Sequence, residues 1–335
     1  MDGESKRRLR PEDWLSTVHR EYLTGFVRDG GAAVKVIVPV EEESRTAACN
    51  GLASLAEAEG FVFAFVDAAA TKVHLIDKVF GAVAAQVPWK ALAHSFVGQL
   101  LEKHGIALPP EPSEFSLAAV ARLNERDEPR LRNKIESWLE RSLVRHARMC
   151  QEFRLAMVSM CMGELDPDES PSQDVMEEWL RGELRLISAL KAALIFQKIG
   201  RHNARHMLLS LMHWLRAAGK SGLVLAVDIS RYVVEKRPQE PDGSFYYSRP
   251  ATLDAYEVLR QLIDGTDDME GCLIAVMAGP DFLGDERRGL HAYDALRFRV
   301  GDEVFDRRLA NPLSSLVRLS ERAEPILVSA GRDFA

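Results

Sequence analysis

A turn that holds a phosphate needs backbone N–H groups aimed at one point, glycines that let the backbone approach the anion, and a cation to share its charge. The octet Pro39-Val-Glu-Glu-Glu-Ser-Arg-Thr46 sits where such a turn belongs, between an apolar run and a helical pattern. Set against G-x-x-x-x-G-K-[ST], it has Pro39 and Ser44 at the glycine positions and Arg45 at the lysine position; Thr46 alone fits. Glu41, Glu42 and Glu43 stand where phosphates would lie, and two like charges about 4 Å apart repel by roughly 4 kcal/mol at an effective dielectric of about 20. The octet is either a phosphate loop altered until it declines a nucleotide or an ordinary strand-to-helix turn. Its own residues leave both readings open.

A second candidate is Asp228, which closes the run Gly222-Leu-Val-Leu-Ala-Val-Asp228. That run is too short for a helix and has the form of a buried parallel strand with a carboxylate at its C-terminal tip, where open α/β sheets place their chemistry. In an active P-loop ATPase this aspartate helps hold Mg²⁺, and a following glutamate commonly polarises the attacking water. Here the next residue is Ile229, whose side chain neither orients water nor accepts its proton.

Both candidates depend on the elements around them. From Gly30 to Ala68 the pattern is strand (Val34–Val40), turn, helix (Ala47, Leu52, Leu55, Ala56) and second strand (Phe61–Val66), the front end of a P-loop domain. Before it, residues 1–29 read as a polar start and one amphipathic helix carrying Trp14, Val18, Tyr22 and Leu23. After it, helical patterns run over Lys72–Gln86, Ala91–His104, Ser116–Gly163, Asp174–Gln197 and Asn203–Ala218. Leu131, Ile135, Leu139 and Leu143 form one stripe that implies core packing in a helical subdomain. Pro88 and the Pro109–Pro112 cluster break the series, and Leu165–Ser172 reads as a surface loop. Loop-like residues 235–250 carry Phe245, Tyr246 and Tyr247, and a helix over Thr252–Asp264 leads to a fourth apolar run, Cys272–Ala278. Ser315–Leu319 supplies a fifth. The expected fold is therefore α/β, with a five-stranded, mainly parallel, doubly wound sheet in residues 30–335 and a helical insertion at about 91–218.

With 335 residues, 47% hydrophobic and 28% charged, the chain has a globular composition. No run approaches the roughly 18 apolar residues of a membrane span, and the N-terminus lacks the apolar core of a signal peptide, so the expected location is the cytoplasm. The cysteines, Cys49, Cys150, Cys161 and Cys272, have no zinc or redox spacing, and no metal site is expected. A net charge of −7 argues against a nucleic-acid footprint over the whole surface. The basic runs Arg141–Arg154 and Arg297–Arg308 are interleaved with acids and apolar residues, as on solvated helices, and keep a nucleic-acid-binding module as a minor alternative.

Three blocks make the sequence resemble the ATP-binding proteins of BREX bacteriophage-defence systems, a branch of the AAA+-like P-loop ATPases: Gly30–Ala68, Gly219–Ser230 and Ala255–Val300. The last is the most specific, since helix, acidic turn, strand and Asp-Glu-Arg-Arg-Gly followed by Tyr and Leu occur in order. The resemblance implies an AAA+-like fold and places Pro39–Thr46 at the Walker A loop and Asp228 in Walker B. It makes the departures informative: glycines and lysine replaced in Walker A, Ile229 for glutamate, and Ala278-Gly-Pro-Asp281 where a polar sensor belongs. A helical lid is expected to be missing, because the chain stops at Ala335 soon after the fifth strand. The expectation is a catalytically degenerate pseudo-ATPase with no cofactor, in which Arg45, Thr46 and Asp228 are remnants of nucleotide binding. It would serve as a structural or regulatory subunit beside an active ATPase paralogue or helicase, in a homo- or hetero-oligomer. Arg287 and Arg288 are candidates for an arginine finger donated to a neighbour. The alternative is an active ATPase with Mg-ATP held by a non-standard loop.

Overall fold

The computed structural model describes residues 8–111, 115–166, 168, 171–233, 245–301 and 310–323. They form two compact units, Met1–Leu75 with Gly222–Ala335, and Ile76–Ser221.

The first unit opens with helix α1, Pro11–Thr17, which continues as a π-helical stretch, Val18–Phe26. Strand β1 (Ala32–Pro39), helix α2 (Glu42–Ala58) and strand β2 (Val62–Asp67) follow. The chain re-enters this unit at β3 (Leu223–Asp228), then forms α10 (Arg249–Asp264), β4 (Cys272–Met277), the short α11 (Asp281–Gly284), α12 (Asp294–Val300) and β5 (Leu316–Leu319). Helices α3 to α9 belong to the second unit.

All five strands are parallel, in the order β2-β3-β4-β1-β5. From β1 the chain steps past two strand positions to β2, returns through β3 and β4, and passes β1 to reach β5. Right-handed crossovers put the helices of outward and returning steps on opposite faces. Register aligns Asp67 with Asp228, Asp228 with Met277, and Met277 with Ile37, so the β1–α2 turn and both aspartates share one edge of the sheet. On one face Ile37, Leu273, Ala275, Met277, Val317 and Leu319 pack with Ala48, Leu52 and Ala56 of α2 and with Trp14, Val18 and Leu23. Alternate residues of the strands point to the other face. The short β5 is held at both edges. Lys35, buried in β1, donates from Nζ to the carbonyls of Leu313 and Ser314, and Leu9 pairs with Leu319 on the outer side.

The second unit contains α3 (Ile76–Ala84), α4 (Trp89–Lys103), α5 (Leu117–Leu123), α6 (Glu128–Leu139, with a π-helical continuation Glu140–Val144), α7 (Gln151–Leu165), α8 (Gln173–Leu180), a 3-10 segment Ile187–Ala193 and α9 (Ala204–Ala217). Leu131, Ile135, Leu139 and Leu143 are all buried. No helix among the described residues is long and apolar enough to cross a membrane.

Several expected boundaries move, each for a local reason. The helix expected over Lys72–Gln86 begins at Ile76. Residues 68–75 are not helical, because Tyr247 ties them down: its hydroxyl accepts from the Val73 N–H (3.2 Å) and reaches the carbonyls of Ala68 and Thr71. The almost continuous helical pattern over Ser116–Gly163 is divided among three helices. Glu125 adopts φ 50 and Asp127 caps α6 by accepting from the Arg130 N–H, with a proline in its first turn. The helix expected over Asp174–Gln197 stops at Leu180, before Gly182 in the left-handed region. Residues 234–244, 302–309 and 324–335 lie outside the described residues, and with them much of the 235–250 loop, part of the Arg297–Arg308 run and the place of the lid.

Where β3 begins, Gly222 has φ +143, and a Cβ on it would sit 1.9 Å from the Gly271 carbonyl oxygen, itself bonded to the Leu223 N–H. Only glycine fits this approach of β3 to β4. Gly222→Ala is expected to cost about 2–4 kcal/mol, read as a lower urea midpoint at unchanged slope.

Candidate functional site

The β1–α2 connection is short. The strand ends at Pro39 and the helix begins at Glu42, leaving Val40 and Glu41 between them. Most of the sequence octet is therefore helix. The octet contains no glycine, and none of its residues lies in the left-handed region, so it lacks the alternating backbone that lines an anion concavity with N–H groups.

The three glutamates do not cluster, contrary to the repulsion expected from their succession. Glu41 turns toward β5, accepting from the Ser320 hydroxyl at 2.8 Å and from the Ser44 hydroxyl at 3.0 Å. The two serines are buried and are themselves bonded by backbone N–H groups, Ser44 Oγ from Glu321 at 3.1 Å and Ser320 Oγ from Arg322 at 3.2 Å. The Val40 N–H reaches the Leu319 carbonyl at 2.9 Å. Burial works against ionisation of Glu41, but these donors together outweigh it and hold the carboxyl below its ordinary range. Glu42 instead pairs with Arg45, and Glu43 is exposed.

Arg45, one turn into α2, reaches across to β3. Its Nη1 donates to Asp228 Oδ2 at 2.7 Å and to the Ser230 hydroxyl at 2.9 Å. Asp228 is buried, and its other oxygen accepts from the Ser230 N–H at 2.9 Å. Next to it in register, Asp67 accepts from the Ala69 N–H at 2.7 Å. Burial opposes the charge on Arg45, while Glu42, Asp228 and Asp67 raise its affinity for the proton above the ordinary value. Arg45 and Asp228 thus neutralise each other. A charge-assisted bond of this kind is worth on the order of 2 kcal/mol. Thr46 faces solvent and joins no hydrogen bond found among the described residues.

The rest of this edge is apolar where polar groups were absent from the sequence. Ile229 is buried and its N–H bonds to the Met277 carbonyl at 2.8 Å; Ala278 is buried, and Gly279 follows beside Ser230. Among the described residues no group of His, Cys, Asp and Glu side chains could hold a metal ion.

Arg287 and Arg288 follow α11. Asp285 accepts from the backbone N–H groups of both, at 2.7 and 2.8 Å, which shapes their turn and lowers its own proton affinity. The side chains then diverge. The Arg288 guanidinium donates to the Tyr247 carbonyl (2.8 Å) and the Tyr246 hydroxyl (2.9 Å), and lies over the Tyr246 ring. Arg287 is exposed, and no side-chain partner is found for it among the described residues. Sequence reasoning missed Ser44, Ser320, Asp67 and Tyr247. Asp67 was legible as the second carboxylate at a strand tip. Ser320 gave no signal, because its role depends on a partner at the other end of the chain.

A five-stranded parallel sheet in this order, with a helix-opening turn after β1 and an acid at the tip of β3, defines a P-loop α/β protein of the AAA+-like type. The family described as BREX system ATP-binding protein BrxC/D matches residues 26–332, and the chain belongs to it. No curated protein and no solved structure matches the chain.

The pH dependence of the turn follows from Glu41. Its ordinary carboxyl value is 4.5 and its folded value is lower, so its contribution to stability is complete above about pH 4.5 and is lost as the solution is acidified through the folded value. Glu41→Gln is expected to lower stability at pH 7 by about 1–2 kcal/mol and to flatten the acid side of the stability profile, measured by urea unfolding between pH 3 and 7.

Proposed function

We propose that this BrxC/D-family chain is a catalytically degenerate pseudo-ATPase that acts as a structural or regulatory subunit of a BREX defence assembly. The observation that carries the reading is the pair Arg45–Asp228, formed beneath a turn of two residues. In a working site the cation meets phosphate oxygens and the acid holds Mg²⁺. Here each has the other as its partner, and Glu41 is drawn into the serines of the same turn. Ile229 supports the reading, since it supplies no base at the position that polarises water. The protein works in this view by contact, offering its surface to an active ATP-binding relative or to a helicase of the same system, and needs no nucleotide of its own.

Arg287 remains the candidate for a residue acting in a neighbour's site, because it is exposed and has no partner among the described residues. Arg288 is the weaker of the two, being engaged with Tyr246 and Tyr247. It holds the turn that presents Arg287.

Calorimetry of the purified chain with Mg-ATP is expected to show no binding. A dissociation constant in the low micromolar range overturns the reading and favours an ATPase with a non-standard loop. With an active partner in hand, Arg287→Ala is expected to leave the complex intact and lower the partner's turnover by about 10³-fold if the guanidinium stabilises the transferring phosphoryl group. Equal turnover with wild-type and substituted chain leaves scaffolding as the role.

A further inference from the structure

Among the described residues, four helices end on a glycine in the left-handed region, α2 at Gly60, α4 at Gly105, α8 at Gly182 and α9 at Gly219, and α5 ends in the same geometry on the polar Glu125. Each glycine N–H bonds back three residues, and the next N–H bonds back five. The 3-10 segment Ile187–Ala193 ends in the same geometry, with the Leu194 N–H on the Lys191 carbonyl at 3.0 Å and the Ile195 N–H on the Leu190 carbonyl at 3.3 Å. Here the left-handed position, φ 58, is held by leucine. A bulky side chain is strained there, and glycine is not.

The cap itself gives no reason for leucine. Ile195 is fully buried, while Leu194 is 61% exposed. Phe196 is 65% and Leu186 70% exposed, so residues 186–196 carry the largest aliphatic exposures described in the chain together with a solvent-facing phenylalanine. The charges are as uneven. Between Leu184 and Arg205 the sequence has Arg185, Lys191, Lys198, Arg201 and Arg205 and no carboxylate, in a chain whose net charge is −7; the nearest acids are the exposed Glu183 and the half-buried Glu152, which accepts from the Gln197 amide. The first four of these cations are exposed.

We propose that residues 185–201 form a docking surface for another protein of the same defence system, one that presents an apolar groove with an acidic rim. The inference rests on the subunit reading above and names the chemistry of the partner. Exposed apolar side chains among cations that outnumber the neighbouring acids fit a desolvated centre with a predominantly acidic rim. Two rivals share part of this chemistry. An anionic bilayer takes cations and apolar groups, but a fluid surface gains nothing from side chains fixed by a strained cap. Nucleic acid takes the cations and can stack one base on Phe196, but Leu186 and Leu194, the larger part of the exposed apolar surface, offer it no stacking face. The strain at Leu194 sets the direction of a rigid knob, and a preformed knob is useful against a preformed groove.

The test uses the full chain and each purified protein encoded in its defence system, with binding measured by biolayer interferometry and melting temperature measured alongside. Leu194→Gly removes the knob and the strain together. It is expected to leave the melting temperature unchanged or raise it while weakening the complex roughly 30-fold or more. Phe196→Ser is expected to weaken it similarly, and the Lys191→Glu, Lys198→Glu double substitution to slow association and remove most of its salt dependence. A partner that binds wild-type and substituted chains alike overturns the docking surface and leaves the subunit reading standing. If no protein of the system binds the wild-type chain, both are overturned. Binding at this patch to vesicles of phosphatidylglycerol and phosphatidylcholine, to a single-stranded oligonucleotide, or to a second copy of the chain, lost on Leu194→Gly, replaces the proposed partner with that one.

Discussion

The candidate site depends on how little chain joins β1 to α2. With Val40 and Glu41 alone between strand and helix, the backbone has no slack to wrap around an anion, and the first turn of α2 is drawn down to the sheet edge. Two consequences follow from that geometry. Glu41, brought against β5, is a carboxylate in a half-buried place and needs donors, which Ser44 and Ser320 supply. Arg45, one turn on, points at the tip of β3, where a buried aspartate would otherwise lack a counter-charge. Removing Arg45 leaves the buried Asp228 without its counter-charge, whereas removing Asp228 leaves Arg45 still paired with Glu42.

The strands were the most legible part of the sequence. Fully buried parallel strands read as unbroken apolar runs, and those at 34–40, 222–228 and 272–278 differ from β1, β3 and β4 by only a residue or two at their ends. Lys35 is the exception within them: a charge in mid-strand that is tolerated because two carbonyls next to β5 receive it. Helix ends were harder. The apolar period continues past Asn124 and past Leu180, and what stops the helices is a single left-handed residue in each place. Asp127 followed by proline was a readable signal for the first break; Gly182 was the signal for the second. At the site, residue types and motif positions pointed to Arg45 and Asp228, but the scattering of Glu41, Glu42 and Glu43 onto different partners was not legible. It depends on Ser320, which is brought to Glu41 by the β1–β5 pairing and by nothing local.

Several residues at this edge of the sheet are bound up with the fold. Asp228 and Arg45 satisfy each other, and Ile229 is part of the buried core with its N–H in the ladder to β4. Pro39 ends β1, and its position is set by the ladder to Leu319. Ser44 is buried and accepts a backbone N–H from beyond β5, so it ties the first turn of α2 to that end of the sheet. Tyr247 does comparable service on the other side, where burial pushes its hydroxyl up to about 12 and keeps it a neutral donor to the loop after β2.

The order in which the sheet can assemble is written in its topology. β2 and β3 are neighbours, yet the whole of Ile76–Ser221 lies between them in the chain. Closing a loop of that length costs chain entropy before any ladder bond repays it, and the penalty grows with the logarithm of the loop. The helices inside it, by contrast, are built largely from near-neighbour contacts that form fast. If they collapse first, the ends at Leu75 and Gly222 are tethered by a compact body in place of a long random coil. The β2–β3 pairing then becomes a late, cooperative step of refolding, with a rate that answers to substitutions among Leu131, Ile135 and Leu139 in the helical unit although none of them is in the sheet.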